Sequence, residues 1–124
     1  VIFMAAANSI DTIDPVILRA GRFDAVIGIP LPNEQSRRAI WNGMIFEHDR
    51  LYDFDDITTM SLSEELARQS EGFSGAEIRE VLKRTRLAAA LRDIRTRQAP
   101  TKIIPDDIKR TLTRYRTERV AQDD

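Results

Sequence analysis

Val1 to Pro32 reads VIFMAAANSIDTIDPVILRAGRFDAVIGIPLP, and the succession of its pieces decides the fold. VIFMAAA is apolar at every position, the pattern of a parallel strand covered by helices on both faces rather than one face. Asn8 to Thr12 turns the chain. Asp14 suits a helix N-cap with Pro15 in the first helical position, and Gly21 suits a left-handed exit, so a short helix is expected over about residues 15–20. AVIGI, 25–29, is a second strand candidate, closed by the Pro30-Leu31-Pro32 break.

After Pro32 the apolar spacing changes from strand-like to helical and stays so. Asn33 is placed to cap a helix running to about His48, with Ile40, Met44 and Ile45 near one face. Leu51 to Thr59 is polar and irregular. Ser61 with Glu64 has capping-box spacing and predicts a second, shorter helix ending near Gly72. Ser74 with Glu77 repeats that spacing and opens the longest helix, to about Gln98, with a stripe of Ile78, Val81, Leu82, Thr85, Ala88, Ala89 and Leu91. Pro100 interrupts the pattern and Ile103-Ile104 suits a small extended piece. Pro105, Asp106 and Asp107 open a last helix, with proline and two acids in its first turn. The expected architecture is the end of a parallel α/β sheet over 1–32, a four-helix all-α piece over 33–120, and a frayed tail over 121–124.

The composition sets bounds. Charged residues make up 31% of the 124 positions and hydrophobic residues 42%, a globular balance rather than a disordered one. Lys+Arg 19 against Asp+Glu 20 leaves a net charge of −1, so no global field draws the chain to nucleic acid. Cysteine is absent, which removes disulfides and thiolate chemistry and is compatible with a reducing compartment. No apolar run is long enough to span a bilayer, and no leader resembles a signal peptide, so the expected location is cytoplasmic. The chain opens inside an apolar run, which reads as a strand torn from a larger sheet.

Arg19 and Arg22 end the short helix on either side of an Ala-Gly step. A rigidly held guanidinium fork suits phosphate oxygens and the charge that spreads in phosphoryl transfer. An isolated R-x-G-R is better read as a surface ion pair or a lid over apolar neighbours, and spacing alone decides nothing. Asn8 lies where a buried strand ends, the edge at which open α/β sheets place ligands; it also suits a plain turn residue. His48 is the only histidine, which gives a multi-histidine metal site or a local Ser-His-Asp triad no support. Asp53, Asp55 and Asp56 lack the glycine and distal glutamate of a calcium loop and read as solvated turn residues. Trp41 reads as packing. Lys83, Arg84, Arg86, Arg92, Arg95, Arg97 and Lys102 make the long helix and its exit basic, but without the aromatic interleaving of a single-strand binding surface.

Taken together, Met4 to Pro32 resembles the second region of homology of the AAA ATPases, the subgroup that includes the valosin-containing protein, katanin, spastin and FtsH. The family pattern is a strand ending in an asparagine, an Asp-Pro helix, an arginine, Gly-Arg-Phe-Asp and a strand leading to proline. Here it is met by Asn8, Asp14-Pro15, Arg19, Gly21-Arg22-Phe23-Asp24 and Pro32. GFSGAEI, Gly72 to Ile78, is similar to the motif that begins the third lid helix of the family. The resemblance covers Val1 to about Leu112.

The resemblance implies roles. Asn8 matches the sensor-1 asparagine that helps position the attacking water. Arg19 and Arg22 match arginine fingers that reach the nucleotide of an adjacent subunit. Gly75 and Ala76 match lid residues close to the adenosine, with Ile40 packing on the adenine. Met44 stands where several relatives place an adenine-contacting histidine, so apolar packing is kept there and a hydrogen bond is not. Ala76 replaces the sensor-2 arginine of other AAA+ groups, as this subgroup does. The sequence carries no G-x-x-x-x-G-K-[ST] and no apolar strand ending in Asp-Glu, the Walker elements that hold phosphates and Mg2+; these are expected upstream of Val1.

The resemblance therefore implies the C-terminal half of an ATPase module that uses ATP and Mg2+. It assembles as a ring with copies of itself, a hexamer, and remodels or unfolds a protein substrate with or without an adaptor. This chain by itself is expected neither to bind nucleotide tightly nor to hydrolyse it. Two alternatives from other classes stay open: a non-catalytic helical interaction module, and a nucleic-acid-handling AAA+ relative that uses the basic helix.

Overall fold

A computed structural model describes residues 2, 4–6, 27–97 and 100–123. The chain divides into two compact units, Val1–Pro30 and Leu31–Asp124. In the first unit the described residues carry no regular element, and Ile2, Met4, Ile27 and Ile29 are exposed. The short helix expected over 15–20 lies outside the described residues. So does the whole turn expected over Asn8 to Thr12, and the residues described within the two expected strands, 2, 4–6 and 27–29, form no strand.

The second unit is built from four helices: α1 (Glu34–Glu47), α2 (Asp56–Gln69), α3 (Gly75–Thr96) and α4 (Pro105–Asp123). α1 packs on α2 and α3, and α3 packs on α4. Asn33 caps α1 by accepting from the Ser36 amide at 2.8 Å, which satisfies one of the donors a helix start leaves open. α1 ends at His48 and passes into a single 3-10 turn, Asp49–Leu51. Tyr52 then pairs with Ile103 as an isolated parallel bridge, with Asp53 N donating to Ile103 O and Ile103 N to Leu51 O. That bridge is the small extended piece expected at Ile103. It ties the α1–α2 connection to the α3–α4 connection.

Three expectations change. α2 begins at Asp56, not Ser61, because Asp55 accepts from the Thr58 amide at 2.8 Å and serves as the cap. Ser61 lies exposed one turn inside α2, and its spacing to Glu64 carries no cap. The three aspartates are therefore not all solvated turn residues. On α3 the buried stripe is Ile78, Val81, Leu82, Thr85 and Ala89, while Ala88 and Leu91 are exposed. Finally, α4 runs to Asp123, so residues 121–123 continue the helix instead of fraying from it.

The core is one contiguous set of side chains, with Trp41, Leu66, Phe73, Ile78, Leu82, Ile108 and Leu112 fully buried. Burial of this kind stabilises by about 1.5–3 kcal/mol for each large apolar side chain. Trp41 carries its polar handle inward and donates from Nε1 to Ser70 Oγ at 3.0 Å. Ser70 in turn donates to Leu66 O at 2.7 Å. Arg37 is buried beside them. Its Nε and Nη2 both donate to Ala67 O, at 3.0 and 2.9 Å, and Nη1 donates to Pro32 O at 2.9 Å. The guanidinium thus closes the last turn of α2, where unpaired carbonyls concentrate partial negative charge.

Candidate functional site

The site is built where α2 gives way to α3. Gly72 has φ of 82°, a left-handed value that glycine adopts without Cβ strain, and it reverses the chain after α2. Phe73 is then driven into the core. Ser74 starts α3 with a complete capping box: its Oγ accepts from the Glu77 amide, and the Glu77 carboxylate accepts from the Ser74 amide, both at 3.2 Å. The box satisfies the amides of residues 74 and 77. It leaves those of Gly75 and Ala76, between them, without an intrahelical acceptor.

Those two residues are among the ones expected to face adenosine. Gly75 is half-buried and Ala76 exposed. A Cβ built on Gly75 would meet only Ile40 Cδ1, at 4.0 Å, which is ordinary contact. The lid's own packing therefore does not require glycine at 75, and the bare backbone is open to a ligand's close approach. Ile40 and Met44, one turn apart on α1, are half-buried and pack against the core from the same side. The structure thus brings Ile40 against Gly75, with Met44 on the same face of α1 and Ala76 at the head of α3. The apolar flank of Ile40 thus lies beside the open start of α3. A crevice of about 20 Å³ continues past Met44, lined also by His48, Arg79 and Arg86.

A larger cavity, of about 280 Å³, is lined by Ile45, Phe46, Tyr52, Phe54 and Lys102 among others, and none of the expected site residues touches it. The Tyr52 hydroxyl is buried without a hydrogen-bond partner. Burial pushes that phenol's pKa up, an effect the neighbouring Arg86 guanidinium only partly offsets. Among the described residues no group of three or more His, Cys, Asp or Glu is arranged to hold a metal ion. Asn8, Arg19 and Arg22 lie outside the described residues.

Side chains from α4 brace the capping box, and the sequence reading did not single them out. Arg119 Nε pairs with Glu77 Oε2 at 3.0 Å, and its Nη2 donates to Gly72 O at 3.0 Å. The Tyr115 hydroxyl donates to the same Glu77 oxygen at 3.3 Å. Burial first, and then the Glu77 carboxylate, push the Tyr115 phenol upward, so it remains a donor at neutral pH. Phe73 and Tyr115 meet as tilted rings 5.5 Å apart, with Arg119 over Phe73 and Arg84 over Tyr115. Two arginines of the basic helix are paired: Arg84 with Glu80 and Glu118, and Arg92 with Asp107 and Thr101. Acids of α3 itself and of α4 thus offset part of its charge.

Comparison with known proteins agrees with this geometry. Residues 61–103 match the family model of the AAA+ lid domain. The proteasome-activating nucleotidase of Saccharolobus islandicus (strain Y.N.15.51 / Yellowstone #2) is 34% identical over 116 residues, covering 94% of this chain and 26% of that protein. The 26S proteasome regulatory subunit 6A of Schizosaccharomyces pombe is 40% identical over 78 residues, covering 63% of this chain and 16% of that protein. The proteasome-activating nucleotidase of Saccharolobus solfataricus is 40% identical over a stretch of the same length, 18% of that protein. The chain spans about a quarter or less of the length of these curated relatives. No helix among the described residues is long and apolar enough to cross a membrane. With its GFSGAEI turn folded as a capped helix start and its sequence kin to these nucleotidases, the chain belongs to the AAA ATPases, and residues 61–103 lie in their lid domain.

Proposed function

We propose that this chain supplies the sensor strand, the arginine fingers and the lid of an ATPase that couples ATP hydrolysis in an oligomeric ring to the unfolding or remodelling of a protein substrate. The observation that carries the reading is the head of α3, where Gly75 and Ala76 offer unpaired amides beside the apolar flank of Ile40. In this reading the lid binds and orients the adenosine. Gly75 permits close approach, Ile40 and Met44 pack on the base, and the adenine's polar edge meets backbone rather than side chain. Phosphoryl transfer is performed elsewhere. Asn8 positions the attacking water, and Arg19 and Arg22 reach the nucleotide of a neighbouring subunit, where a finger supplied in trans contributes about 10³–10⁵ in rate.

Kinship with proteins named as proteasome-activating nucleotidases and a 26S regulatory subunit supports a protein substrate over a nucleic acid. The near-neutral net charge and the pairing of Arg84 and Arg92 on α3 point the same way. The exposed Ile2, Met4, Ile27 and Ile29 are side chains that the flanking helices of a parallel sheet would cover. We assign 1–32 to that sheet and 33–120 to the lid. Mg2+ and the phosphates would be held by Walker residues outside this sequence.

The test is ATP hydrolysis by the full-length protein. Replacing Arg19 or Arg22 by alanine is expected to cut turnover by at least about a hundredfold with nucleotide affinity nearly unchanged. Equal losses of binding and turnover would assign both arginines to structure instead. Phosphate release by the isolated 124-residue chain would contradict the placement of the catalytic groups.

A further inference from the structure

One side chain of α4 touches the nucleotide-facing turn on both sides of its open amides. Arg119 pairs through Nε with Glu77, donates through Nη2 to Gly72 O, and lays its guanidinium 4.9 Å from the centre of the Phe73 ring. Gly72 and Phe73 precede Ser74-Gly75-Ala76, and Glu77 follows them. The Glu77 carboxylate is simultaneously occupied by the Ser74 amide and the Tyr115 hydroxyl. The six-residue stretch from Gly72 to Glu77 is thereby fixed at both ends by one planar group and its aromatic platform.

As a stability device this cluster is ordinary. Arg119 and Glu77 remain 35% and 24% exposed, and ion pairs in such surroundings are screened. Its distinguishing property is geometric. A guanidinium presents donors in a rigid fork, so contacts through Nε and Nη2 fix the distance and the angle between the two groups they hold. Here those groups are the left-handed glycine that ends the turn from α2 and the carboxylate that closes the capping box of α3. Holding them in register sets where the amides of residues 75 and 76 point.

We propose that Arg119 is a positioning residue for nucleotide: acting through Glu77 and Gly72, it holds the head of α3 so that Gly75 and Ala76 meet the adenosine. This inference rests on the reading of the α3 head given under Proposed function. Arg119 acts on binding that is equal in ground and transition states, so its loss raises KM and spares kcat.

The experiment is steady-state ATP hydrolysis by the full-length protein. Arg119→Gln is expected to raise KM for ATP about fivefold to tenfold with kcat within about twofold. Arg119→Lys keeps the charge but not the fork, and falls between that variant and the parent. Lys109→Ala breaks a comparable pair, Lys109 Nζ to Glu65 at 3.0 Å, toward the other end of α4, and leaves KM unchanged. Ala76→Glu places a charge at the proposed adenosine contact and raises KM independently of α4. An unchanged KM in Arg119→Gln, with KM raised in Ala76→Glu, overturns the role of Arg119 and leaves the reading of the α3 head intact. An unchanged KM in Ala76→Glu overturns that reading and this inference with it. A KM that rises equally in Lys109→Ala marks general loosening of the helices, and also overturns it. Should Arg119→Gln not fold, Arg119→Lys against Lys109→Ala decides the same question.

Discussion

The α1–α2 seam and the α3–α4 seam each use an arginine to secure the end of a helix, in opposite surroundings. Arg37 is buried and gives its donors to carbonyls alone, Ala67 O and Pro32 O, with no carboxylate partner among the described residues. Arg119 is part-exposed and divides its donors between a carboxylate, a carbonyl and an aromatic face. The first arrangement is expensive to disturb, because removing the guanidinium strands buried acceptors. The second is cheap to disturb, because water replaces what is lost. The seam with no expected ligand is thus braced permanently, while the seam beneath the proposed nucleotide contact is held by groups that can yield.

The sharpest way to break that contrast is urea denaturation of Arg37→Ala. The buried Ala67 O loses both guanidinium donors and keeps only a long bond from Ser70, and the part-buried Pro32 O loses its own; an unsatisfied buried group costs about 1–3 kcal/mol. We expect a loss of about 3 kcal/mol, seen as a fall in denaturation midpoint at unchanged slope. Arg119→Ala in the same assay should lose no more than about 1 kcal/mol. Equal losses would mean that the two seams are braced alike.

Next in size is the cap of α3. Ser74→Ala removes the acceptor for the Glu77 amide and one half of the box, worth about 1 kcal/mol. It leaves Arg119 and Tyr115 on Glu77, so amide exchange should quicken at residues 75–77 more than in α4. Uniform quickening across both helices would show that the cap, not the α4 cluster, holds the seam together.

How much of this could be read from sequence follows from how local each cause is. Asn33, the Ser74–Glu77 box and Pro105 act within one helical turn, so their spacing announces them. The GFSGAEI turn was legible for the same reason, and with it the placement of Gly75 and Ala76. The start of α2 was misread because Ser61-x-x-Glu64 has the right spacing but the wrong surroundings. Asp55 caps the helix six residues earlier, and burial of Thr59, Leu62 and Ser63 carries the chain through Ser61 as helix interior. Arg37 gave no signal at all. An arginine one turn into a helix is ordinarily solvated, and only the arrival of Ala67 O, thirty residues on, makes it a core residue. Arg119 was hidden likewise, 47 residues from Gly72. Of the expected site residues, Ile40 was placed against Gly75 only by the packing of α1 on α3.

The smallest effect expected is on the acid side, and it tests whether surface caps belong with the buried brace or the yielding one. The Asp55 carboxyl is held below the usual carboxylate range by its hydrogen bonds from Thr58, and Asp93 by those from Thr101, with Arg92 adding a lesser attraction. A folded-state pKa lowered in this way contributes stability that is fully present above the unfolded value, about pH 4, and lost as pH falls through the lowered one. Yet Asp55 lies at the surface and Asp93 is only part-buried, and a protonated carboxyl keeps a carbonyl oxygen that still accepts the Thr58 or Thr101 amide. The cap is weakened by acid but not abolished. Carbon-detected titration of the side-chain carboxyls should therefore give both aspartates midpoints below that of free aspartate, with helix content falling only slightly down to those midpoints. Because hydrogen bonding rather than charge pairing dominates, added salt should move the Asp55 midpoint little and the Asp93 midpoint slightly more. An Asp55 midpoint at the ordinary aspartate value would mean that the α2 cap is not formed in solution, and would return the start of that helix to Ser61.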